Sequence, residues 1–276
     1  MPITVLFAVL AAALVHAGWN VLIKRSPDKL TMTLAVAVGA GVISALVLPL
    51  LPQPTAASWP YLAASVALQS VYYLLIARSY RLTDMSLAYP LMRGLAPLIV
   101  ALASLPLTGE ALASGQWLGV AGICGGILLL ALVAGATAHR AGVVSALANA
   151  VVIAAYTLID GLGARLSGAA PAYALYLAVG TAVVTAALVL SGGHRPTLSA
   201  RTMALGLLGG GATTLSYGVA LWAMTRAPVA LVAALRETSI LFALALSALL
   251  LGERVGRGRL VAAALVAAGV VTLKLG

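Results

Sequence analysis

Charged side chains are scarce in this sequence: they make up 8% of 276 residues, and only six of them are acidic. A soluble domain carries about 25% charged residues, so no water-soluble surface can be assembled and a solvated globular fold is excluded. Cysteine is almost absent. Cys124 stands alone inside an apolar run, which rules out an intrachain disulfide and leaves the redox compartment open. The three histidines, His16, His139 and His194, are scattered without metal-ligand spacing, so neither a metal nor a cofactor is expected. HExxH and GxSxG motifs are missing, which argues against a membrane-embedded enzyme. A GxxxxGK[ST] phosphate-binding loop is missing too, so this chain does not hydrolyse ATP.

What the sequence does contain is apolar length. It is 63% hydrophobic, with a mean hydropathy of +1.11. Ten apolar runs can be drawn, at 3–23, 31–51, 59–79, 84–106, 113–134, 141–162, 171–191, 201–224, 229–251 and 257–275. Each approaches the roughly 20 residues that cross a bilayer as a helix. The separators are short and rich in turn formers or charge, as in Ser26-Pro27-Asp28-Lys29, Pro52-Gln53-Pro54 and Gly192-Gly193-His194-Arg195-Pro196. The runs are continuous rather than alternating, which excludes a membrane barrel. The expected fold is therefore an all-α integral membrane protein of ten transmembrane helices. The first run lacks a basic leader and reads as a retained span.

A net charge of +10 would point to nucleic acid in a soluble protein. Here the basic residues sit in short loops, so no nucleic-acid partner is expected and the charge reports topology. Connections 1–2, 3–4, 5–6, 7–8 and 9–10 hold Lys24, Arg25, Lys29, Arg78, Arg81, Arg140, Arg195, Arg201, Arg254, Arg257 and Arg259, eleven in all. The other face holds three, Arg165, Arg226 and Lys274. The positive-inside rule then puts both termini outside the cytoplasm, in a bacterial plasma membrane.

Two basic residues remain, and they lie inside apolar runs. Displaced by 143 residues, Asp84–Glu110 falls on Ala227–Glu253 without a gap. Arg93 then meets Arg236, Ser104 meets Ser247, and Gly109-Glu110 meets Gly252-Glu253. The chain thus divides into five-helix repeats at 1–138 and 139–276. Five is odd, so the second repeat enters the membrane from the opposite side. The halves are inverted about an axis in the membrane plane, with the site expected near the midplane between them.

These features resemble the drug/metabolite transporter superfamily, in its ten-helix EamA-type branch. The doubled Gly-Glu ending carries the resemblance, followed by glycine- and alanine-rich helices (Gly119, Gly122, Gly125, Gly126; Ala262–Ala264, Gly269). His16-Ala17-Gly18-Trp19-Asn20 with Lys24 adds to it. The resemblance implies a central cavity lined by helices 1, 3, 4, 6, 8 and 9, with 5 and 10 supporting from outside.

The candidate site follows from intramembrane polarity. An ionisable group at mid-bilayer costs about 2.5–3.5 kcal/mol even on an insertion scale and marks a functional site by default. Arg93 and Arg236 suit an anion, because guanidinium offers a fixed fork of donors; the alternative is a structural pairing with Glu237 or Asp160. Pro90 and Pro97 flank Arg93 and remove backbone donors, which favours a kinked, cavity-lining helix 4. Glu237, Asp160 and His16 are the proton-coupling candidates. Substrate contacts are expected from Trp19 and Asn20 on helix 1, Tyr72 and Tyr73 on helix 3, and Tyr156 on helix 6. Tyr217 on helix 8 and Ser239 on helix 9 complete the set. Glu110 and Glu253 read as structural, each near the start of the following helix, where a carboxylate meets the positive dipole end.

The function expected is secondary-active transport, in the export direction, of a small polar or anionic metabolite by alternating access. An exporter of organic cations using Glu237 and Asp160 is the alternative. The partners expected are the small-molecule substrate, the bilayer and a second copy docked through helices 5 and 10.

Overall fold

In a bilayer every backbone N–H and C=O must be satisfied within the protein, which leaves long helices joined at the surface. The computed structural model describes residues 1–24, 28–133, 139–193, 196–197, 199–251 and 256–276, with the side chains of 20–24, 29, 247, 250 and 251 outside that description. Among the described residues every regular element is helical. The helices are α1 (Ile3–Lys24), α2 (Lys29–Val47), α3 (Trp59–Leu82), α4 (Met85–Thr108), α5 (Ser114–Val133) and α6 (Arg140–Ser167). They continue with α7 (Ala170–Ser191), α8 (Ala200–Met224), α9 (Val229–Arg236), α10 (Ser239–Leu251) and α11 (Arg257–Leu275). Nine described spans are long and apolar enough to cross a membrane, and the apolar stretch Ile3–Trp19 of α1 is a shorter tenth. Lys274 donates to the carbonyl of Met1 at 3.1 Å, so both termini meet on one face, as an even number of crossings requires.

The ninth run forms a span, Val229–Leu246, but its helix is interrupted. Within it α9 gives way to α10 at Glu237-Thr238. No glycine or proline marks the break. Its cause is a switch to tighter i→i+3 bonding, with Glu237 N donating to Ala234 O and Thr238 N to Leu235 O, both at 3.1 Å. The Thr238 hydroxyl donates to the same Leu235 carbonyl at 2.7 Å, competing with the helical amide for it. Conversely, α4 stays one helix although Pro90, Pro97 and Pro106 all lie inside it. It ends at Gly109, whose φ of 71° is the left-handed cap that glycine adopts without strain.

Helix packing follows the inversion. Helix α1 packs on α8 and α10, and its counterpart α6 packs on α3 and α4. The equivalent pairs α2 with α7, α4 with α9, and α5 with α11 each meet across the axis. The α5–α11 contact is backbone to backbone: a Cβ on Gly269 would lie 2.6 Å from Ile123 N, and one on Gly126 would lie 2.8 Å from Ala262 O. Lipid gives apolar helices no hydrophobic reason to associate, so close approach at small residues supplies the attraction.

Glu110 corrects another reading. It serves not the start of α5 but the start of α9, where its Oε2 accepts from Val229 N at 2.8 Å. Its other oxygen pairs with Arg165 at the end of α6. Arg165 also donates to the carbonyls of Met224 (2.8 Å) and Ala227 (3.1 Å). One ion pair thus ties the α4–α5 loop, the end of α6 and the α8–α9 loop together at one mouth of the bundle. Glu253, its repeat counterpart, lies outside the described residues.

Candidate functional site

The break in the ninth span sets the site. In an unbroken helix Arg236 and Glu237 would diverge by about 100°. At the break, Glu237 turns to α4, where its Oε2 lies 2.8 Å from Arg93 Nε. This pair is close but off the hydrogen-bond line, so its attraction is chiefly coulombic. Both side chains are largely buried, at 12% and 6% exposure.

Arg236 takes a different partner. Its guanidinium carbon lies 4.7 Å over the ring of Tyr217. Among the described residues no carboxylate comes within ion-pair distance of it. Arg93 and Arg236 line a single cavity with His16, Ser216, Ala12 and Ala13. The inverted repeat therefore delivers one guanidinium from each half to a common space. That space measures ≈ 10 Å³, room for about one water. The conformation is closed around the site.

Asp160 on α6 is fully buried. Tyr217 donates to its Oδ2, and Tyr173 of α7 donates to its Oδ1 at 3.2 Å. Tyr217 is thus a bridge, with its ring under Arg236 and its hydroxyl on Asp160. Gly163 makes room for Tyr173, since a Cβ at that position would clash with the tyrosine hydroxyl. His16 accepts the indole N–H of Trp19 at Nδ1 (3.3 Å), and the rings meet edge to face at 5.2 Å.

The remaining expected residues fall into two groups. Tyr72 meets Tyr156 edge to face at 6.2 Å and Tyr73 at 5.2 Å, forming an aromatic wall in the α3–α6 layer. Trp19 reaches the cavity only through His16, and Ser239 is buried in the first turn of α10 without lining it. The side chain of Asn20 lies outside the described residues. Sequence reading missed Tyr173, a tyrosine in an apolar run far from any polar motif. Gly163, three residues after Asp160, was the one signal for it. It also missed the clamp formed by Arg165.

The EamA-like transporter family model matches residues 3–132 and again residues 140–275. A solved structure described only as "Crystal structure of protein" superposes with a TM-score of 0.77, covering 99% of this chain and 98% of that one at 21% identity. At that identity the likeness establishes the fold alone. No curated protein matches the chain.

Proposed function

From a chain that belongs to the EamA-like transporter family, and is therefore a membrane transporter of the drug/metabolite superfamily, we propose a secondary transporter of a small anionic metabolite whose charge is received by Arg236. The observation that carries this reading is the asymmetry between the two cavity arginines. Arg93 is neutralised by Glu237, whereas, among the described residues, Arg236 faces the cavity with an aromatic ring and no carboxylate against it. A guanidinium so placed has its forked donors available for a carboxylate or phosphate.

Coupling follows from charge balance. The core contains Arg93, Arg236, Glu237 and Asp160, two charges of each sign when all are ionised. A monovalent anion on Arg236 adds one negative charge to a low-dielectric site, and a proton on Asp160 restores neutrality. Glu237 is held by Arg93, and His16 lies beside two cations that repel an added proton, so neither takes that proton. Asp160 is suited to the role because, among the described residues, its hydrogen-bond partners are hydroxyls. A buried carboxylate without an adjacent cation costs several kcal/mol to keep ionised. One proton then accompanies each anion. This coupled movement is reversible: it exports substrate down an outward substrate gradient and imports it when an inward proton gradient is larger.

The cation-exporter reading requires substrate at Glu237, which Arg93 already holds, or at Asp160. Both carboxyl oxygens there are taken by tyrosines, and Asp160 does not line the cavity. Transport by proteoliposomes of paired substrates differing only in charge sign decides between the two. Anion transport that is lost in Arg236→Ala supports the proposal; cation transport that survives it refutes the proposal.

A further inference from the structure

At the end of α6 opposite Arg165 lies a second and much larger cavity, ≈ 530 Å³, open to the outside of the bundle. Its lining includes Leu75 and Arg78 of α3, His139 before α6, and Arg140, Val144 and Ala148 of α6. The positive-inside rule accounts for arginines at this face. It does not account for two of them, from helices of different halves, rimming one concave space.

The lining is graded by depth. Arg140, Val144 and Ala148 follow one another every four residues, so they form one stripe down α6. Charge stands at the helix end and apolar surface runs from there into the bilayer. Val144 is 56% exposed, and Val151 extends the same outward-facing surface. On α3, Leu75 likewise lies one turn deeper than Arg78. A charged mouth above an apolar channel matches a molecule with an anionic head and a hydrocarbon tail.

The mouth has a third cationic element. His139 occupies the N-cap position of α6 without capping it by its side chain. Gly142 N and Val143 N both bond back to His139 O, at 2.9 and 3.0 Å. The amides of Arg140 and Ala141 come before them, in the first turn, at the positive end of the helix dipole, where anions bind. The end of α6 is also held fixed. Thr83 Oγ1 donates to His139 O at 3.2 Å and accepts from His139 N at 3.4 Å. Gly142 permits that approach, since a Cβ there would clash with the same hydroxyl oxygen.

We infer that this cavity seats an anionic phospholipid, with its phosphate between Arg78, Arg140 and the start of α6, and an acyl chain along Leu75, Val144 and Ala148. Basic pockets between transmembrane helices are where such headgroups bind. Since α3 and α6 belong to different halves, the lipid braces the contact between them. This inference rests on the chain lying in a bilayer and stands apart from the anion site at Arg236.

The test uses the full chain, delipidated in neutral detergent, with native mass spectrometry and thermal unfolding as readouts. The probes are phosphatidylglycerol, phosphatidylcholine and soluble glycerol 3-phosphate. Phosphatidylglycerol should remain bound and raise Tm by several degrees, and the other two should not. The double variant Arg78→Gln with Arg140→Gln should lose at least tenfold in phosphatidylglycerol retention. Arg81→Gln, which removes an exposed neighbouring charge outside the cavity, should keep it. Equal stabilisation by phosphatidylcholine would overturn the inference. So would glycerol 3-phosphate acting alone, which would make this a free-phosphate site, or a dimer that excludes lipid. If the double variant does not fold, the comparison of the three probes on the wild-type chain decides the question.

Discussion

Arg236 stacks its guanidinium 4.7 Å over the ring of Tyr217, and the hydroxyl of that same ring donates to Asp160. The ring and the hydroxyl can be removed separately. Tyr217→Phe keeps the surface under Arg236, so substrate affinity should stay within a fewfold of wild type while the dependence of transport on a pH gradient changes. Tyr217→Leu removes both. A partly desolvated cation–π contact contributes about 0.5–2 kcal/mol, so affinity should fall by roughly two- to thirtyfold. Binding and gradient-driven uptake measured on both variants check the assignment.

Asp160→Asn fixes the neutral form of the side chain and leaves its size unchanged. Uptake driven by a pH gradient should vanish, and exchange of labelled for unlabelled substrate should persist. The measurement is paired flux in proteoliposomes. Loss of both fluxes in a well-folded variant would assign Asp160 to structure instead.

The Arg93–Glu237 pair has the opposite character. Removing one member of a buried ion pair costs about 3–5 kcal/mol, because the partner is left unpaired in low dielectric. Arg93→Ala and Glu237→Ala should each lower thermal stability sharply. The double substitution should recover much of the loss, with binding at Arg236 retained. A double-mutant cycle in Tm that came out additive would refute the pairing.

Most of the fold was legible because each feature had a local cause. Apolar runs set the spans to within a few residues, apart from α6, which extends to Ser167. The 143-residue offset alone is enough to pair Arg93 with Arg236. The break at Glu237-Thr238 was not legible, since it depends on a threonine hydroxyl competing for a carbonyl inside an otherwise uniform apolar run. The partners of Glu110 and Asp160 were hidden for another reason. Arg165 and Tyr173 reach them across helix packing, which no periodicity within one segment encodes. Arg236 and Glu237, although adjacent, likewise take partners from different helices, Tyr217 and Arg93.

Closure at the mouth held by Arg165 should be separable from substrate binding. If the basic loops mark the cytoplasmic face, that mouth lies on the opposite side. With Cys124→Ala as background, a cysteine replacing Ala13, which is buried at the cavity, should resist an impermeant thiol reagent applied to intact cells. Adding Arg165→Gln should expose it and raise the labelling rate about tenfold or more. Labelling that rises only in inside-out vesicles would reverse the orientation.

The most direct test of the anion site is the affinity of purified protein for its best anionic ligand, taken from a screen of carboxylates, amino acids and phosphorylated metabolites. Arg236→Lys keeps the charge and loses the fork, so binding should weaken without vanishing. Arg236→Ala loses a charged hydrogen bond, about 1.5–3 kcal/mol, or roughly ten- to a hundredfold in Kd. Organic cations should gain nothing from either change. Wild-type anion affinity in Arg236→Ala, on a preparation with unchanged Tm, would contradict the account.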